Sequence, residues 1–285
     1  ISSFSMRMLC WLVLTLQVVW GQDRFRWERS SERWRSHRGG VPRWEEAPVF
    51  ERDVFTFVRV IYRSDSRRSG RGWGRGGGCW TDYPDSDLNF SFRLQQLTAL
   101  KVDPEGIQLE LSDPRLFDYP FIYMVEPGRL LFRESEVKAL RDYLTGGGFL
   151  MVDDFWGEDE WDNFYHEIKR VFPDREPIDL TMEHPIFNLV FPLNETLDKV
   201  PQIPSIRQAQ RGRYEGRTWE RWDAQEPHYR VIQNDQGRIM VMICHNTDLG
   251  DGWEREGEDE WYFREFSEKK AYPLGINIIL YAMTH

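Results

Sequence analysis

Cysteine is scarce, with three residues in 285. Cys10 lies in an N-terminal apolar run, which leaves Cys79 and Cys244 for the folded part of the chain. One possible bridge is no disulfide framework, and nothing has the paired-cysteine spacing of a zinc site. Cys244 closes the apolar run Ile239-Met240-Val241-Met242-Ile243, which favours a buried free thiol. An excess of positive charge is also missing: 37 Lys and Arg face 47 Asp and Glu, for a net charge of −10 and a pI near 5.2. A general nucleic-acid binder needs a basic face to release counterions from phosphates, so that class is excluded. What the chain does have is 40% hydrophobic and 15% aromatic residues, including 13 Trp. Such a composition is neither disordered nor collagen-like, and the length supports one large core or two small ones.

Met6-Arg7-Met8 precedes the apolar run Leu9 to Trp20, which falls short of the ~20 residues that span a bilayer. The basic start, the short apolar core and Gly21, with Val19 two positions earlier, fit a secretory signal over residues 1–21, cleaved after Gly21. Export to the periplasm or the cell exterior is the expectation, and an uncleaved anchor would also place the domain outside the cytoplasm. Residues 22–50 alternate arginines with isolated aromatics such as Trp27, Trp34 and Trp44 and sustain no apolar period. They read as a flexible arm. Residues 22–48 suit an anionic envelope or membrane surface, although a solvated linker has the same texture.

A single α/β domain is expected over residues 51–285. Strands are predicted at 54–62, 107–111, 121–125, 149–152, 229–233 and 238–244 from β-branched and aromatic runs. Helices are predicted at 88–100, with Ser86 or Asp87 as cap, and at 134–144, 158–171, 259–270 and 276–283. Alternating strands and helices imply crossover units and a mostly parallel sheet, a flavodoxin-like three-layer sandwich. The glycine-rich stretch Gly70 to Gly78 lacks the Gly-Lys-Ser/Thr of a phosphate loop. The pentapeptide Gly-Glu-Asp-Glu-Trp occurs at 157–161 and 257–261, each time opening a predicted helix, where first-turn acids complement the helix dipole.

In open α/β sheets, ligands bind at the carboxyl ends of strands. Asp153 and Asp154 follow the strand 149–152. Adjacent carboxylates there repel unless one is protonated, turned away or bound to a cation. Asp154 is therefore a candidate base or nucleophile and Asp153 a candidate ligand contact, with helix capping as the structural alternative. His245-Asn246-Thr247-Asp248-Leu249-Gly250-Asp251-Gly252-Trp253 follows the strand 238–244. His245 is a candidate acid/base, since imidazole titrates near neutrality. Asp248 and Asp251 are candidate metal ligands in an oxygen-rich loop, which makes a divalent cation the cofactor this chemistry suits, although the spacing is not that of an EF-hand. Asn246, Trp156 and Trp253 are candidate ligand contacts, because aromatic faces beside carboxylates suit sugars. His184, beside Pro185, reads as structural.

Several motifs together resemble an uncharacterised, often exported bacterial family known as a domain of unknown function. They are Gly-Arg-Gly-Gly-Gly…Thr-Asp-Tyr-Pro (75–84, with the Gly run at 74–78), Phe-Arg-Leu-Gln-Gln-Leu-Thr (92–98), Val-Glu-Pro-Gly (125–128), Gly-Gly-Phe-Leu-Met-Val-Asp-Asp-Phe-Trp-Gly (147–157), Glu-His-Pro-Ile-Phe (183–187) and Cys-His-Asn-Thr-Asp-Leu-Gly-Asp-Gly-Trp (244–253). The resemblance covers about residues 52–285. A more distant resemblance is to the class I glutamine amidotransferase-like fold, including trehalose-utilisation-type proteins. It implies a nucleophile elbow near Asp154, where no cysteine stands, so thiol-based amidotransfer is not expected. The combined expectation is an exported domain binding a small polar or carbohydrate ligand at acidic strand-end loops. The rivals are a metal-assisted hydrolase using Asp154 and His245, and an interaction module of an envelope assembly.

Overall fold

A computed structural model describes residues 41–44, 54–64 and 78–285. The expected signal, most of the arm and the glycine-rich stretch before Gly78 lie outside the described residues. Trp44, expected in the arm, donates its indole N–H to the Val102 carbonyl (2.7 Å) and lies against Phe92.

Seven strands form one sheet: β1 (Val58–Ile61), β2 (Ile107–Glu110), β3 (Phe121–Val125), β4 (Phe149–Asp153), β5 (Ile178–Asp179), β6 (His228–Gln233) and β7 (Ile239–His245). Their order is β2-β1-β3-β4-β7-β6-β5. The first five in that order run parallel, and β6 is antiparallel to both β7 and β5. The mostly parallel α/β sheet is compatible with a flavodoxin-like sandwich. β3, β4 and β7 are buried along their whole length, as continuous apolar runs in a covered parallel sheet should be.

The helices are α1 (Asp85–Leu97), α2 (Glu134–Thr145), α3 (Glu158–Val171), α4 (Ile206–Gly212), α5 (Leu249–Glu254), α6 (Glu260–Tyr262) and α7 (Tyr272–Thr284). Strand alternation divides the core. Phe121, Tyr123, Phe149 and Met151 pack with Phe90 of α1, Trp253 of α5 and Ile278 of α7. Ile122, Met124, Leu150 and Val152 pack on the other face with Leu140 of α2 and Ile168 of α3. Among the described residues, no helix is long and apolar enough to cross a membrane.

Three local expectations need correction. Ser86 and Asp87 do not cap α1, which begins at Asp85 after an uncapped Pro84; both side chains bind Arg59 instead. The C-terminal region is continuous, because α6 passes through a π-helical stretch, Phe263–Ala271, into α7, which carries Pro273 as its second residue. Residues 249–254 form a short helix rather than an open loop, capped when the Asp248 carboxylate accepts from the Asp251 amide (2.6 Å).

Leu150 is fully buried at the centre of β4. Leu150→Ala should lose about 2–5 kcal/mol of stability, read as a lower urea midpoint with an unchanged slope.

Candidate functional site

The parallel register of β3, β4 and β7 ends these strands at one edge, with Val125 opposite Asp153 and Val152 opposite Ile243. The chain leaves that edge through acidic residues in left-handed conformations: Asp82 (φ 60°) on the turn before α1, Glu126 (φ 49°) after β3 and Asp154 (φ 57°) after β4. Aspartate tolerates this region better than most residues, although it is still uncommon for any side chain with a Cβ.

Arg59 holds the turn that carries Asp82. Its wholly buried guanidinium donates to Asp87 (Nε to Oδ2, 2.9 Å), to Ser86 Oγ (2.9 Å) and to the carbonyls of Cys79 (3.3 Å) and Thr81 (2.8 Å). Burial by itself would lower the Arg59 pKa, but the Asp87 carboxylate more than offsets this and holds the guanidinium charged. Gly78 N donates to Glu126 Oε2 (2.5 Å), which ties the start of the same turn to the end of β3.

Asp153 and Asp154 have different surroundings. Asp153 accepts at Oδ2 from Tyr123 OH (3.0 Å), Leu249 N (2.8 Å) and Gly250 N (3.0 Å), so it anchors the first turn of α5. Its Oδ1 is buried without a partner. Asp154 accepts at Oδ1 from the Trp156 indole N–H (2.9 Å). Neither caps α3, whose N-cap is Gly157. Gly250 lies at the meeting point: a Cβ there would stand 2.6 Å from Asp82 Oδ2, 2.9 Å from Tyr123 OH and 3.4 Å from Asp248 Oδ1.

Two groups of carboxylates have ligand atoms within 4.8 Å of one another: Asp82, Asp154 and Asp248, and Asp82, Asp251 and Glu254. Asp82 is partly buried as a residue, but its Oδ2 is enclosed and unpartnered. Burial and then mutual repulsion push these acids up. Asp82, Asp154 and Asp248 rise well above the usual carboxylate range, and Asp251 rises too. Burial also moves Asp153, Glu126 and Glu254 to about 7. The sign of this effect is destabilising. The unfolded chain releases these protons near pH 4, so the cation-free fold loses stability as pH rises from about 4 towards 7. A bound cation would offset the penalty, and oxygen-only donor sets suit hard ions such as Mg²⁺, Mn²⁺ and Ca²⁺.

The structure therefore brings together Asp153, Asp154, Asp248 and Asp251 of the residues expected from sequence. It also adds Asp82, Glu126 and Glu254. A sequence signal was present for two of them, in Thr-Asp-Tyr-Pro for Asp82 and Val-Glu-Pro-Gly for Glu126, where an acid precedes or adjoins a proline turn; Glu254 had none.

His245 has other surroundings. Its Nε2–H donates to the Gly157 carbonyl (3.2 Å), and its Nδ1 accepts from Arg230 Nη1 (3.2 Å). The ring packs on Phe155 and Trp161. Burial lowers its pKa to about 3, so it carries no proton to donate as an imidazolium near neutrality. Asn246 is occupied in bridging: Oδ1 accepts from Gly157 N (2.8 Å), and Nδ2 donates to the Glu226 carbonyl (2.9 Å). Trp253 is 1% exposed among Phe57, Phe90 and Tyr123, and Trp156 is also buried, so neither offers an open stacking face. Trp80 and Tyr83, on either side of Asp82, are exposed rings, at 45% and 37%. His184 accepts from Ile186 N at 3.2 Å, a capping role.

Residues 56–283 match the family described as domain of unknown function (DUF4159), and the chain belongs to that family. No curated protein matches the chain.

Removing Arg59 strands Asp87 in the core, so Arg59→Met should cost about 3–5 kcal/mol in chemical denaturation. In an NMR pH titration, the His245 ring resonances should stay at their neutral positions from pH 8 down to about 4. Because the unfolded ring titrates near 6.5, the stability of the wild type relative to His245→Gln should fall on acidification between about 6.5 and 3.

Proposed function

We propose that the domain holds a hard divalent cation among Asp82, Asp154 and Asp248 and uses it to bind a small hydroxyl-rich ligand, with carbohydrate as the class its rim suits. The observation that carries this reading is the convergence within 4.8 Å of three carboxylates from separate places in the chain, the turn before α1 and the segments after β4 and β7, around an enclosed Asp82 oxygen without a partner. An acidic pocket repels anions, whereas a cation with open coordination positions attracts neutral hydroxyls. Trp80 and Tyr83, with ring centroids 5.6 Å apart, give a sugar an apolar face to stack on. The secretory signal expected at residues 1–21 would deliver this site to a calcium-rich compartment, where weak affinity suffices.

The second reading is metal-assisted hydrolysis. Asp154 follows β4 at φ 57°, which is where the class I glutamine amidotransferase-like fold carries its elbow nucleophile. With no thiol there, Asp154 would act on a cation-bound water, and His245 drops out of that scheme because both of its ring nitrogens are engaged.

In thermal-shift measurements on the full chain, Ca²⁺, Mg²⁺ or Mn²⁺ should raise the melting temperature, and a sugar should raise it further only when the cation is present. A cation at 100 times its Kd corresponds to about 2.7 kcal/mol. Asp154→Asn keeps a residue type that tolerates the left-handed backbone and should shrink the cation shift and abolish the further sugar shift; unchanged shifts would overturn the reading. Cation-dependent turnover of a glycoside that is lost in Asp154→Asn would select the hydrolase.

A further inference from the structure

The cation reading leaves charge unaccounted for. Around Asp82, Asp154 and Asp248 stand Glu126, Asp153, Asp251, Glu254 and Glu220, each raising the pKa of at least one neighbour in the set. Arg59 and Arg255 act on this group among the described residues. Arg59 is already neutralised by Asp87, and Arg255 is shared among Asp251, Glu254 and Glu258. One divalent cation offsets two carboxylates, so one ion at Asp82, Asp154 and Asp248 leaves Asp251 and Glu254 with only the shared Arg255.

The second group supplies the missing place. Asp82, Asp251 and Glu254 also lie with ligand atoms within 4.8 Å, and Asp82 belongs to both groups. The hydrogen bonds here engage one oxygen of Asp154, through the Trp156 indole, and one oxygen of Asp248, through the Asp251 amide. Asp251 is more committed, with Oδ2 accepting from Ile206 N (3.0 Å) and Oδ1 facing Arg255 Nε (3.0 Å). Arg255 is 35% exposed along its side chain, so it can turn outward to Glu258 as a cation enters. Three oxygens among these walls are buried without a hydrogen-bond partner, Asp82 Oδ2, Asp153 Oδ1 and Glu254 Oε2, the last facing Arg255 Nε, and Asp153 is itself 0% exposed. Such atoms lose their hydration without compensation unless a ligand supplies it.

We propose that the site is binuclear, with Asp82 bridging one divalent cation held by Asp154 and Asp248 and a second held by Asp251 and Glu254. This rests on the single-cation reading above and extends it. Cations sharing a carboxylate typically stand about 3.5–4 Å apart, which lets one ligand oxygen bridge both.

Mn²⁺ alone is the probe. Equilibrium dialysis of the full chain at pH 8, with metal counted by mass spectrometry, should give two Mn²⁺ per chain, and electron paramagnetic resonance should show a spin-coupled pair. Asp154→Asn and Glu254→Gln should each reduce the count to one and remove the coupling. Asp82→Asn should weaken both sites, at least tenfold in apparent Kd. Circular dichroism checks that each variant is folded, and the two single-site variants carry the test if Asp82→Asn does not fold. One uncoupled Mn²⁺ in the wild type overturns the binuclear centre and leaves the single-cation reading standing. No bound Mn²⁺ overturns both, and two ions retained in Glu254→Gln overturn the assignment of the second position.

Discussion

The guanidinium of Arg59 on β1 sits inside the core and gathers two pieces of chain against the strand: the Asp87 carboxylate and Ser86 hydroxyl of α1, and the carbonyls of Cys79 and Thr81 in the turn before it. A buried cation is tolerable only when it is fully paired, and here the pairing dictates the path of the turn. That turn carries Asp82, the residue common to both carboxylate groups. The charge that anchors the turn is thus spent on Asp87, and the guanidinium lies over the rings of Tyr83 and Tyr123. The acids above it keep their repulsion.

Parallel pairing does the rest of the assembly. β3, β4 and β7 run in the same direction, so the residues that follow them emerge at one edge although they are far apart in sequence. β4 alternation turns Asp153 toward α5, where Tyr123 and two backbone amides satisfy one of its oxygens. The left-handed step at Asp154 then turns the next carboxylate away from that strand periodicity. Two neighbouring acids therefore take different places, one tying α5 to the sheet and one standing with Asp82 and Asp248. A fold that holds this many carboxylates in a dry setting is less stable near neutral pH than its apolar core alone would make it. That is the usual mark of a site where function competes with stability.

The order of strands and helices was legible because its cause is local. Continuous apolar runs at 121–125 and 149–152 form strands wherever both faces are covered, and Val137, Leu140 and Leu144 share one helical face. The short helix at 249–254 was not legible, because only the cap from Asp248 and the tie to Asp153 make so few residues helical. The reading of His245 as an acid/base followed from its place after a strand. The strand's alternation instead points it toward Phe155 and Trp161, where Arg230 and the Gly157 carbonyl occupy both nitrogens.

By itself, the amino-acid sequence determined an acidic, aromatic-rich α/β domain with its candidate chemistry at strand ends, because periodicity and composition act over a few residues. It also marked Asp154 and Asp248 as members of the site. Only the tertiary structure decided that Asp82, Glu126 and Glu254 join them, that Trp253 is core, and that His245 is neutral. Those outcomes depend on which strands pair, which face a side chain takes, and how much water is left around each carboxylate. None of these is a property of a short stretch of sequence.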